Sequence, residues 1–82
     1  MIQVSQKHRK IACEWHGGQF SPLYAVCSTG NVHEDSVKYL IEEINSCLAY
    51  ARENEETAGD IKALTDLLDE VLQYDSFDFI GE

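Results

Sequence analysis

Positive charge is scarce in this chain: six lysines and arginines stand against fifteen acids, a net charge of −9 over 82 residues. Such a field repels nucleic-acid phosphates and anionic membrane surfaces, so the expectation is no direct nucleic-acid contact and no membrane contact. It attracts basic protein surfaces. No apolar run approaches the roughly 20 residues of a membrane-spanning helix, and no N-terminal stretch suits a signal peptide. Cysteines are few and odd in number (Cys13, Cys27 and Cys47), with no C-x-x-C pair. That count argues against a secreted disulfide framework, and the spacing argues against a zinc ribbon or finger. The expectation is a cytoplasmic protein whose cysteines are reduced and mostly small core residues. Proline occurs once, as Pro22, and no phosphate-cradling glycine loop, internal repeat or domain linker is present.

What is there is an ordinary globular composition, 44% hydrophobic and 26% charged, in a chain long enough for one domain over residues 1–82. A chain of this size buries only about 60–65% of the surface its unfolded form exposes, so its margin is thin and a homodimer would be a natural remedy. The charge is unevenly placed. Lys7, Arg9, Lys10 and Glu14 leave residues 1–33 at +2, whereas residues 34–82 set fourteen acids against Lys38, Arg52 and Lys62, for −11.

Periodicity predicts two helices in the acidic half. From Glu34 to Glu53, Val37, Leu40, Ile41, Ile44, Cys47, Leu48 and Ala51 recur at the spacing of one helical face. Asn31 with Glu34 reads as a capping box at its start. After a polar connection at 53–57, Thr57 with Asp60 opens a second helix ending near Tyr74. Its stripe is Ile61, Leu64, Leu68, Val71 and Leu72, with Leu67 on the flank. A short connection between amphipathic helices predicts an antiparallel hairpin, which the N-terminal third must cover.

That third admits two readings. Val4, His8, Ile11 and Trp15 lie at helical spacing, with Gly17 as a stop; Ser21 and Pro22 then suit the cap and first turn of a short helix ended by Gly30. Ile11, Cys13 and Trp15 also alternate as a strand would, with Gly17 and Gly18 as a hairpin turn. Pro22 weakens the second strand, so helix is favoured. The fold expected is all-α, a bundle of three or four helices with a C-terminal antiparallel hairpin; the alternative is α+β, with a β-hairpin over residues 10–27.

The densest cluster is Trp15, His16, Gly17, Gly18, Gln19, Phe20, Ser21, Pro22, Leu23 and Tyr24. It reads as a corner between helices, with Trp15 and Leu23 in the core, or as a contact surface anchored by Trp15 and Tyr24. The run Trp-His-Gly-Gly-Gln-Phe-Ser-Pro-Leu-Tyr, continued to Ser28, Thr29 and Gly30, resembles small uncharacterised bacterial and phage or plasmid proteins with a Trp-His-Gly-Gly-Gln segment and an acidic helical C-terminal half. The resemblance covers residues 11–52. It implies a mobile-element accessory protein and carries no catalytic role.

Chemistry finds little support. Cys13, His16, Cys27, His33 and Cys47 are soft ligands without paired spacing, so no metal and no cofactor is expected. A cysteine near a histidine has the residue types for a thiolate nucleophile, but no local signature accompanies it, and so small a chain hardly builds a deep pocket. The pairs Glu42–Glu43 and Glu55–Glu56 splay apart on a helix. The run Lys7, His8, Arg9 and Lys10 is too short for a nucleic-acid site. The tail, residues 75–82, interleaves acids with Phe77, Phe79 and Ile80, which suits a docking segment or a fold-back over the hairpin.

The expectation is therefore a non-enzymatic acidic module that docks on a basic, nucleic-acid-binding protein, as a phage or plasmid accessory or inhibitor. Its contact residues are expected to be Trp15, His16, Gly17, Gly18, Gln19, Tyr24, Glu42, Glu43, Asp66, Glu70, Phe77 and Phe79. A homodimeric adaptor is the alternative, and a thiol or zinc protein built on Cys13, His16 and Cys27 the second.

Overall fold

The computed structural model describes residues 2–74. They form a mostly helical domain: β1 (Ile2–Gln3), α1 (Gln6–Trp15), α2 (Pro22–Thr29), β2 (Asn31–Val32), a 3-10 turn (Glu34–Ser36), α3 (Val37–Glu53) and α4 (Ala58–Leu72). The all-α reading holds, and the β-hairpin alternative for residues 10–27 gives way to two helices.

Several boundaries have a local cause. Ser21 begins α2 by accepting a hydrogen bond from the Tyr24 N–H at 3.1 Å, with Pro22 in the first turn. Gly30 ends it in the left-handed conformation at φ 76°, returning its N–H to the Val26 carbonyl. Thr57 caps α4 through the Asp60 N–H at 3.2 Å. The start of the third helix differs from expectation. Asn31 belongs to β2, where it faces Gln3 while Val32 faces Ile2 in an antiparallel pair. The capping is done by His33, whose ring accepts the Asp35 N–H at 3.0 Å, and residues 34–36 make a tight turn before α3 begins at Val37.

α3 and α4 form the expected antiparallel hairpin, and α1 and α2 make a second hairpin packed against it. The core between them is built from Val4, Ala12, Leu23, Val26, Val32, Val37, Leu40, Ile44, Leu48, Ala51, Leu64, Leu67 and Val71. Leu67 is fully buried, not on a flank, and Leu72 is exposed. α4 packs against both α3 and α1, which turns its stripe toward Leu67.

The cysteines require a correction. Cys13 and Cys27 are not reduced core residues but a disulfide joining α1 to α2, with Cα atoms 4.7 Å apart. Cys47 alone is a free thiol, half-buried. The odd count hid one bridge plus one thiol, so the number of cysteines no longer points to a reducing compartment. Among the described residues no helix is long and apolar enough to cross a membrane.

Candidate functional site

The corner between α1 and α2 gathers most of the unusual side chains. His16 ends α1, its N–H returned to the Ala12 carbonyl. Gly17 follows because Glu43 of α3 comes close: a Cβ there would stand 3.3 Å from Glu43 Oε2. Gly18 follows because φ is 154°, which side-chain-bearing residues rarely adopt. Ser21 then closes the turn, its hydroxyl donating to the Gly18 carbonyl at 3.1 Å.

Glu43 holds this corner in place. One oxygen accepts the Gly17 N–H at 3.0 Å and the other the Leu23 N–H at 2.9 Å, in the first turn of α2. Those donors have no intrahelical partner, and a carboxylate there also meets the positive end of the helix. The Cys13–Cys27 bond ties the two arms together below the turn. Held from both sides, the loop presents Phe20 almost wholly to solvent, 98% exposed.

Beside the corner lies an open groove of about 340 Å³ between α1 and α3. Its walls are Trp15 and Tyr50, its polar groups Glu14, Glu43 and Ser46, and its floor includes Cys47. The two rings meet edge to face, centroids 6.4 Å apart and planes at 74°. The Cys47 thiol donates to the Trp15 carbonyl at 3.5 Å. Burial pushes that thiol's pKa up, and the charge of Glu43 pushes it further, so it stays protonated. His16 stacks edge-on against Tyr24 at 5.0 Å, its Nδ1 buried without a partner.

A second polar cluster joins α1 to α4. Ser5 donates its N–H to Glu70 Oε2 at 3.0 Å and its hydroxyl to Oε1 at 2.9 Å. The buried His8 contacts the same Oε1 through Nδ1. Serine, histidine and carboxylate together suggest a hydrolytic triad, but the geometry is wrong. Ser5 and Glu70 both lie at Nδ1, and Nε2, which would have to face the nucleophile, is buried without a partner. The cluster is a clasp.

The expected contact residues thus divide. Trp15, Gly17 and Glu43 meet in the groove, and His16, Gly18 and Tyr24 shape the corner beside it. Glu42 is exposed on α3 and Gln19 on the loop. Glu70 is taken up by internal hydrogen bonds, Glu43 accepts one backbone N–H on each oxygen, and Asp66 pairs with Lys62 on its own helix at 3.2 Å. Phe77 and Phe79 lie outside the described residues. Sequence reasoning did not single out Phe20 and Tyr50, two aromatics that the structure leaves exposed. Phe20 is an aromatic on no stripe, between two glycines and a proline, and that was the signal available. Among the described residues no group of three histidine, cysteine or acidic side chains is placed to hold a metal ion. Compared with known proteins, the chain matches no family model, no curated protein and no solved structure.

Proposed function

We propose that this protein is a non-enzymatic binding module that docks on a protein with a basic surface. One observation carries the reading: the exposed carboxylates are left over after the internal chemistry is done. Glu14, Glu42, Glu53, Glu55, Glu56 and Asp69 are exposed and have no ion-pair partner among the described residues. Two of the scarce cations are engaged. Arg9 donates to the Cys27 and Ser28 carbonyls at the end of α2, each at 2.9 Å, and Lys62 holds Asp66. The outward field is therefore negative, and Phe20 adds an apolar anchor of the kind that binding surfaces concentrate.

Such a module suits an inhibitor that occupies a nucleic-acid groove, in a mobile-element setting or another. The disulfide favours an oxidising compartment over a reducing cytosol. The test is capture of partners by the tagged protein at low and high salt, repeated with Glu42→Lys, Glu55→Lys and Glu56→Lys combined. A basic partner held at low salt and lost both at high salt and in the triple variant supports the reading. Binding indifferent to salt and to charge reversal overturns it. Homodimerisation is the second reading, favoured by the exposure of Phe20, and sedimentation as a monomer at high micromolar concentration rules it out.

A further inference from the structure

We propose that the groove between α1 and α3 is a receptor for the guanidinium group of an arginine side chain presented by the partner. This rests on the reading that the partner surface is basic, and it names the group on that surface which the site recognises.

The chemistry of the walls selects the occupant. Trp15 and Tyr50 stand nearly perpendicular, 74° apart, and form two aromatic sides of a partial cage. The face of an aromatic ring carries negative potential and attracts a cation placed over it. Tyr50 is 58% exposed and Trp15 half-buried, so both have surface to offer an incoming group. An apolar occupant would satisfy the rings and leave the carboxylates of Glu14 and Glu43 facing it. A guanidinium satisfies both: it is planar, stacks on rings, and presents a fork of N–H donors that matches a carboxylate.

Glu43 is also prepared for the task. Each of its oxygens already accepts one backbone N–H, which fixes the carboxylate without filling its accepting capacity. Little ordering remains to be done when a cation arrives. Cys47 points the same way. Its thiol is kept neutral by burial and by the Glu43 charge, so the groove disfavours an anion. Among the described residues no lysine or arginine lines the groove, and about 340 Å³ gives room for a guanidinium with its methylene stem.

Trp15 is the sole tryptophan, so its emission reports on the groove directly. The experiment is titration with a capped Gly-Gly-Arg-Gly-Gly peptide and with the same peptide carrying uncharged citrulline. The expected result is a saturable change with the arginine peptide, at least about fivefold weaker with citrulline and in Tyr50→Leu and Glu14→Gln. Both substituted side chains are exposed, and a melting temperature and circular dichroism spectrum like the parent's confirm that each variant is folded before it is titrated. Equal responses to the two peptides, or no response to either, overturn the proposal. Failure of the groove and failure of the wider reading are distinguishable. If Tyr50→Leu still captures a salt-sensitive basic protein and the arginine peptide is silent, the groove is wrong and the acidic docking surface stands. If the arginine peptide binds and no salt-sensitive partner is captured, the groove stands and the docking surface is wrong.

Discussion

Glu70 shows how one carboxylate can be turned from a surface charge into a structural part. Burial alone would raise its pKa, but hydrogen bonds from His8 and from the Ser5 backbone and hydroxyl outweigh it and hold the carboxyl below its usual value. In the unfolded chain the group returns to about 4.3. Because the folded value is the lower, the clasp contributes its full stability above the unfolded value. It loses that contribution as pH falls through the folded value. Thermal melts of the parent chain should therefore hold steady down to about pH 5 and fall below about pH 4. Glu70→Gln should cost about 1–3 kcal/mol at neutral pH and show a shallower acid fall; an equally steep fall would mean that other groups govern it. Nothing in the one-dimensional sequence marks Glu70 apart from Asp69 or Glu42. Its partners, Ser5 and His8, are 65 and 62 residues away.

At the scale of elements, the boundaries were the most legible feature, since caps act over three or four residues. Ser21 with Pro22, Gly30, and Thr57 with Asp60 all do what their spacing predicts. Asn31 with Glu34 had the same spacing and was misleading: the pairing of β1 with β2 claimed Asn31 for a strand. A two-residue strand has no periodicity to read. The disulfide was equally hidden, because spacing says nothing about which cysteines meet in space. It closes a loop with a sequence separation of 14, and a loop of that size stabilises by about 3 kcal/mol. Reduction should lower the melting temperature by roughly 10–20 °C in a domain of this length. The Cys13→Ala/Cys27→Ala double variant should melt at the lowered temperature with or without reductant. A parent chain that melts unchanged under reductant would show that the bond contributes no stability.

For the whole molecule, the helical class and the C-terminal hairpin were readable from apolar spacing alone. The packing partner of each face was not. Leu67 moved from flank to core because α1 also leans on α4, a fact of three-dimensional arrangement. The site was half legible: Trp15, Gly17 and Glu43 were marked by residue type, but Phe20 and Tyr50 count for what surrounds them. The arrangement also has a consequence in time. Both hairpins join neighbours in sequence, whereas the clasp at Glu70 must bring together residues 65 apart. Closing so long a loop is entropically slow, so the local hairpins come first and the clasp forms after the rate-limiting barrier. Glu70→Gln should then leave refolding within about twofold and speed unfolding by at least about fivefold, as stopped-flow mixing in denaturant would show. A variant that instead refolds slowly would place the clasp in the nucleus. On this ordering Glu70 sets how long the native state lasts and has little say in how soon it is reached.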